Sequence, residues 1–128
     1  MSETGIETPF GVGEDDPFLD TELILQQLLE NPNLVQHVCR TEENGCETVV
    51  GYFRVSFAPR QQRQVLHIPF TPPLKVVPQV EAHVTDHQDV RIRITDCQKF
   101  GIRSEIILAQ ANDKPRKLLV EIIATESN

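Results

Sequence analysis

Apolar and polar residues alternate along most of the chain between residues 46 and 125. The clearest stretch is VRIRI, residues 90 to 94, in which arginines fill every second position. A period of two is typical of strands that bury one face and expose the other to water. Turn-forming residues separate these runs at a spacing of roughly eight to twelve residues, as in β-sandwich proteins. The pattern therefore predicts an all-β fold, an antiparallel sandwich of six or seven strands.

The predicted strands cover residues 34–40, 47–58, 64–70, 76–85, 90–97, 102–110 and 118–125. Residues 41–45 are predicted to form a hairpin-like turn between the first two strands. The segment TPPL, residues 71–74, is predicted to be an extended loop that passes between sheets, because its prolines remove amide donors and fix the backbone. Gly51, in the middle of a strand, predicts either a bulge or a close backbone approach.

The first 30 residues show other patterns. Residues 1–17 combine glycine, proline and acidic residues with few apolar ones, so we expect a flexible arm. Residues 20–30 (DTELILQQLLE) predict a helix that Asp20 caps and that the following NPN ends. Its leucine stripe either covers the sheet or mediates self-association, and the first is favoured. We expect residues 18–128 to form a single β-sandwich domain that includes this helix.

Composition restricts the partners. The formal net charge of the 128 residues is −7, which disfavours a nucleic-acid backbone as ligand. The start of the chain, MSETGIETPF, has no basic segment followed by an apolar one, and no run reaches the length of a membrane helix. We therefore expect a soluble protein without membrane insertion, cytoplasmic by default.

The sequence predicts no enzymatic activity, no metal site and no cofactor. Nucleophile motifs and phosphate-binding glycine loops are missing from the sequence. His83 and His87 are four residues apart, which on a strand separates them by roughly 13 Å, too far to share one metal ion without a sharp bend. A His/Asp metal site at the tip of the 84–89 turn is the weaker alternative, and ordinary polar loop residues are favoured. Cys39 and Cys46 flank the predicted turn and could form a disulfide, although free thiols are the stronger interpretation. Cys97, at the end of a strand, is expected to be an inert thiol.

Residues 63–125 contain four characteristic segments, VLHIPFTPPLKVVPQV, DVRIRITDCQ, KFGIRSEIILA and a closing strand that ends near IIAT. Through these segments the region resembles the H-type lectin domain, the six-stranded antiparallel sandwich of snail agglutinins and of the C-terminal part of discoidins. The resemblance implies assembly as trimers, sometimes paired into hexamers. It also implies binding of sugars such as N-acetylgalactosamine at protomer boundaries.

An arginine and a tryptophan bind the sugar in that family. The nearest basic residues here are Arg91 and Arg93, and the neighbouring His87 and Asp89 complete the predicted ligand-binding set. The strand that supplies the tryptophan reads EIILAQ in this chain, which contains no tryptophan. The resemblance thus implies the fold more directly than it implies the sugar.

Two functions follow as hypotheses. The first is a non-enzymatic binding module, with a glycan as ligand and a homo-oligomer as the working form. The alternative is a structural or assembly protein that oligomerises through its sandwich and its N-terminal helix.

Overall fold

The structure is a computed structural model that describes residues 23, 26–27, 30–84 and 89–127. The chain divides into two compact units, Met1–Leu34 and Val35–Asn128. The described residues of the predicted helix have helical backbone, but the rest of it lies outside the described residues. The predicted arm, residues 1–17, also lies outside them. The arm, the helix and a domain boundary at residue 18 therefore stay predictions.

The described part of the second unit is all-β. Its seven strands are β1 (Gln36–Glu43), β2 (Cys46–Phe57), β3 (Arg63–Pro69), β4 (Gln79–Val84), β5 (Val90–Gln98), β6 (Gly101–Leu108) and β7 (Arg116–Thr125). They form a four-stranded sheet of order β1-β2-β7-β4 and a three-stranded sheet of order β3-β6-β5. Every pairing is antiparallel, as the sequence predicts.

The hairpin of β1 and β2 turns through Asn44 and Gly45, which both have positive φ, 56° and 80°. Asn-Gly is the sequence that a two-residue type I′ turn favours, because both central positions need a left-handed backbone. Pairing therefore continues up to Glu43, which lies opposite Cys46. The prediction that the first strand ends at residue 40 was wrong for this reason.

The register of this hairpin excludes the Cys39–Cys46 disulfide. Cys39 lies opposite Val50, whereas Cys46 lies opposite Glu43. Cys39 is thus displaced from Cys46 by four residues of β2, which is roughly 13 Å along a strand. All three cysteines are free.

Residues 70–78 lead from the three-stranded sheet, where β3 ends at Pro69, to the four-stranded sheet, where β4 begins at Gln79. The predicted passage between sheets through TPPL is therefore found. Strand β4 begins three residues later than predicted, because Pro78 has no amide to donate to a ladder. Val76 and Val77, predicted to be in the strand, are exposed in the loop.

Alternate residues of both sheets enter one core cluster. Its fully buried members include Phe57 and Val120 from the four-stranded sheet and Ile106 and Leu108 from the three-stranded sheet. The predicted inward residues of β4 and β5 pack against this cluster. They are Val80, Ala82, Val84, Val90, Ile92 and Ile94.

Gly51 lies where pairing is continuous on both sides, so β2 has no bulge there. A Cβ on Gly51 would lie 2.4 Å from Cε2 and 2.6 Å from Cζ of Phe53. The Phe53 ring folds over the glycine and occupies the space of the missing side chain. The expected close approach is found, and an aromatic ring makes it.

A cluster of charged residues, the Glu126 clamp, holds the loop after β3 against the β1–β2 hairpin. The Glu126 carboxylate accepts hydrogen bonds from the amides of Glu47, at 2.8 Å, and Lys75, at 2.6 Å. Glu47 in turn binds Arg40 through two hydrogen bonds, at 2.5 and 3.0 Å. The Arg40 guanidinium also donates to the carbonyl of Pro72 at 2.5 Å. The clamp thus connects two strands, the loop and the end of β7.

These contacts lower the pKa of both carboxyl groups. The amides of Glu47 and Lys75 stabilise the ionised Glu126 and hold its pKa below the usual value. The hydrogen bonds from Arg40 do the same for the pKa of Glu47. A carboxyl group with a lowered pKa stabilises the folded state above its unfolded pKa, and this contribution is lost as the pH falls.

The alternation of β6 predicts opposite effects for two adjacent isoleucines. Ile106→Ala removes a side chain that is 0% exposed and should lower the free energy of unfolding by about 2–5 kcal/mol. Ile107→Ala, on the outer face, should cost about 1 kcal/mol or less. Equilibrium unfolding in urea measures both, and equal losses would contradict the register of β6.

The clamp predicts a pH-dependent effect of Glu126→Gln. The variant loses the charge that the two amides stabilise, so its urea midpoint should fall below that of the wild type at pH 7. The gap should narrow as the pH falls below about 4.3, the usual pKa of a glutamate, because the unfolded wild-type chain then binds a proton that the folded Glu126, with its lowered pKa, takes up only at lower pH. Urea midpoints between pH 7 and pH 3 measure this gap. A gap of constant size would show that the charge of Glu126 has no part in stability.

Candidate functional site

The outer face of the three-stranded sheet carries an ordered set of charged side chains. Because β6 is the central strand, each outward residue of β6 has one cross-strand neighbour on β3 and one on β5. The rows are Arg63–Ile107–Arg91, Val65–Glu105–Arg93 and His67–Arg103–Asp96. We name Arg63, Arg91, Arg93 and Arg103 the arginine face.

Glu105 is at the centre of this face, and its side chain is largely buried. Its side chain is 12% exposed, whereas those of Arg63 and Arg93 on either side are 61% and 60% exposed. An Arg93 nitrogen lies 2.9 Å from one carboxylate oxygen, and an Arg63 nitrogen lies 3.6 Å from the other. One carboxylate therefore orients two guanidinium groups, which remain largely open to solvent.

A β-bulge at Thr95 decides which side chains of β5 reach the outer face. Ile94 pairs with Ser104 and Asp96 with Arg103, so Thr95 has no partner in the ladder. Its hydroxyl donates to the carbonyl of Arg103 at 3.1 Å. In a regular strand, Asp96 would lie two residues from Ile94 and share its inward face. The bulge turns Asp96 outward beside Arg103 and returns Cys97 to the core side.

A cleft of about 380 Å³ opens at the bulge end of the sheet. We name it the Phe100 cleft, and it is lined by His67, Ile68, Pro69, Asp96, Phe100, Gly101, Ile102 and Arg103. Phe100 is 64% exposed, in a chain whose other described phenylalanines are buried in the core. An aromatic ring thus stands in solvent beside a carboxylate, a guanidinium and an imidazole.

The turn that presents Phe100 is held by its backbone. The Phe70 amide donates to the carbonyl of Phe100, and the Leu74 amide donates to the carbonyl of Lys99, both at 2.8 Å. Gly101 permits close approach, since a Cβ there would lie 2.9 Å from the carbonyl oxygen of Ile68. The exposed ring therefore stands on a fixed support, which limits the entropy lost when a ligand binds.

The predicted ligand-binding residues have different environments. Arg91 and Arg93 both lie on the outer face, two residues apart on β5. The guanidinium of Arg91 makes no hydrogen bond or ion pair with any described residue, whereas Arg93 is bound to Glu105. His87 lies outside the described residues.

Asp89 lies at the other end of the sheet from the Phe100 cleft. Its carboxylate accepts two hydrogen bonds from Arg116, at 2.8 and 3.0 Å. These bonds raise the pKa of Arg116. Asp89 and Arg91 also line a second cleft, of about 400 Å³, with Val90, Ile107, Leu108 and Ala109. The structure gives Asp89 a stabilising role in joining β5 to β7, and places Arg91 at a surface cleft.

The described residues contain neither a cluster of metal-binding side chains nor a membrane-spanning helix. Within the described ranges, no group of three or more histidine, cysteine, aspartate or glutamate side chains is arranged to hold a metal ion. Burial and the neighbouring Asp96 raise the pKa of the Cys97 thiol, which disfavours the reactive thiolate. No described helix is long and apolar enough to cross a membrane.

Comparisons with protein-family models, with curated proteins and with solved structures gave no significant match. The resemblance to H-type lectins therefore stays a prediction from the sequence segments. The two clefts and the arginine face are the features of the structure that bear on function.

Sequence reasoning missed the residues of the Phe100 cleft. Strict alternation assigns Asp96 to the inward face of β5, and only the bulge reverses this. The signal was present in the spacing of Ile94 and Cys97, two inward residues three positions apart. Three positions on a strand place two residues on opposite faces unless one residue is extra. Phe100 falls between the predicted strands 90–97 and 102–110, and a residue between two strands does not reveal which cleft it borders.

Because Thr95 is the extra residue of the bulge, we expect the fold to tolerate its deletion. Deletion joins Ile94 to Asp96, which keeps Asp96 outward and Cys97 inward, so unfolding should become easier by only about 1–2 kcal/mol for the lost hydrogen bond. Deletion of Arg93 is the matched control. It moves Ile94 to the outer face and should cost about 2–5 kcal/mol. Thermal unfolding of both variants measures the difference, and a larger loss for the Thr95 deletion would contradict the bulge.

Proposed function

We propose that this chain is a non-enzymatic β-sandwich module that binds carbohydrate at the Phe100 cleft. The observation that carries the proposal is the exposed Phe100 ring beside Asp96 and Arg103 at the border of one cleft. An exposed aromatic ring offers an apolar face on which a ligand can stack.

The cleft matches the chemistry of a sugar ring. A pyranose presents an apolar C–H face that can stack on Phe100, and hydroxyl groups around its rim. Asp96 accepts hydrogen bonds from such hydroxyls, and Arg103 donates in a planar fork. The Arg103 guanidinium makes no hydrogen bond or ion pair within the described ranges, so it can bind a ligand without losing a protein contact. The aromatic ring that is missing from the strand EIILAQ is thus supplied by the neighbouring turn.

The sandwich architecture is supported by the single core cluster to which both sheets contribute. The segments that resemble the H-type lectin domain cover strands β3 to β7. In an assembly of the kind that this resemblance implies, a trimer or hexamer would present several clefts together. Individually weak sites then bind a multivalent glycan tightly.

The alternative function is assembly. Strand β1 is at one edge of the four-stranded sheet, and Val35 and Val38 near it are 68% and 46% exposed. An exposed edge with apolar side chains can pair with the edge of another chain. Sedimentation of the full chain tests this alternative. Val38→Glu should dissociate an oligomer that uses this edge, whereas Val77→Glu in the loop should leave it intact.

Glycan-array screening followed by calorimetry tests the proposed function. Phe100→Ser should weaken binding of a captured glycan by about tenfold or more, because it removes the stacking surface. Asp96→Asn should weaken it as well, since the amide accepts fewer hydrogen bonds. Val77→Ser, which removes another exposed apolar side chain, should leave affinity unchanged. The proposal would be rejected if no glycan on the array bound, or if Phe100→Ser left the affinity for a captured glycan unchanged.

A further inference from the structure

We propose that the ligand is an acidic glycan, whose sulfate or carboxylate groups bind the arginine face while a sugar ring occupies the Phe100 cleft. The inference rests on the proposed function, because it takes the cleft as the place where a sugar ring binds. It adds the substrate class and extends the site over the outer face of the three-stranded sheet.

The charge of this face is opposite to the charge of the chain. The three rows hold four arginines against two carboxylates, those of Glu105 and Asp96. The whole chain has 19 acidic and 12 basic residues. A basic surface on an acidic protein is a specific feature of that surface, and it attracts anions to one place.

We name the strip of the outer face along β6, between Arg63 on β3 and Arg93 on β5, the channel. Strand β6 forms its floor, where Glu105 is 12% exposed, and Arg63 and Arg93 form its sides. Residues two apart on a strand are about 7 Å apart, so successive rows offer positive groups at intervals along the channel. The channel runs from Arg103 at the Phe100 cleft to Arg91 at the second cleft. Such a surface fits an extended chain with spaced negative charges.

Glu105 prepares the two flanking arginines for an anion. Its carboxylate holds Arg63 and Arg93 by separate oxygens, which restricts both side chains before a ligand arrives. Each guanidinium has five donors, and the bonds to Glu105 leave donors directed to solvent. Sulfate and carboxylate groups bind such planar donors in pairs.

A nucleic acid fits these observations less well. The net charge of −7 repels a long polyanion that extends beyond the channel. Phe100 is the one described exposed aromatic residue, and single-stranded nucleic acids usually stack successive bases on several rings. A glycan that stacks one ring matches the surface better.

The test compares ligands of equal length by calorimetry with the full chain. The probes are isomaltohexaose, its sulfated form, a hexagalacturonate and the DNA hexanucleotide dT6. The variant Arg63→Gln/Arg93→Gln removes the channel sides, and Arg63→Lys/Arg93→Lys keeps their charge without the fork. Lys114→Gln/Lys117→Gln removes the same charge elsewhere, at exposed positions. Thermal unfolding verifies that each variant is folded.

We expect a sulfated or carboxylated hexasaccharide to bind at least about tenfold more tightly than the neutral one, with a salt slope that falls by about 1–2 in the Gln variant. The comparison of sulfate with carboxylate identifies the anion. The arginine-to-glutamine variant should lose the preference for the acidic hexasaccharide over the neutral one. The arginine-to-lysine variant should keep part of this preference, and the lysine-to-glutamine control should keep all of it.

Equal affinity for neutral and acidic hexasaccharides would overturn the inference, and so would a preference that the Gln variant retains or the control loses. Binding of dT6 as tight as that of the acidic glycans would overturn it in favour of a nucleic-acid surface. The Phe100→Ser variant separates the two proposals. If neutral sugar binding depends on Phe100 and acidity adds nothing, the proposed function stands and the inference fails. If no saccharide binds at all, both fail.

Discussion

Burial of alternate side chains in one core is the constraint on which the rest of the structure depends. Each inward residue of a strand fixes its neighbours on the outer face, because successive side chains point to opposite sides. In β6, the buried Ile102, Ser104 and Ile106 leave Arg103 and Glu105 facing outward. The strand positions that carry the arginine face are therefore fixed by the core beneath them. A binding surface on strands is positioned more accurately than one on loops.

Two departures from regular strand structure shape the Phe100 cleft. The bulge at Thr95 reverses the alternation of β5 at one point, which brings Asp96 to the same face as Arg103. The turn before Gly101 exposes Phe100 while its backbone stays bonded to the segment after β3. Both lie at the same end of the sheet, beside the Phe100 cleft. Pro72 and Lys75 of the same segment take part in the Glu126 clamp, which fixes the loop against the hairpin.

The sequence predicts the strands well where alternation is regular, as in residues 90–94, because periodicity reports burial directly. It predicts less where a single residue changes the geometry. Thr95 is an ordinary strand residue in composition, and only its missing partner makes it a bulge. The Glu126 clamp joins residues as far apart as Glu47 and Glu126, and no local pattern contains such a contact. Arg91 and Arg93 were placed on the outer face by alternation, whereas the role of Phe100 needed the fold.

The central claim is that the bulge end of the three-stranded sheet binds a sugar. The most direct measurement is an amide chemical-shift titration of the full chain with neutral and sulfated hexasaccharides. The account predicts that shifts concentrate at Asp96, Phe100, Gly101 and Arg103, and that the sulfated ligand extends them along β6 toward Ile107. Shifts confined to the four-stranded sheet, or no shifts at millimolar ligand, would contradict the account.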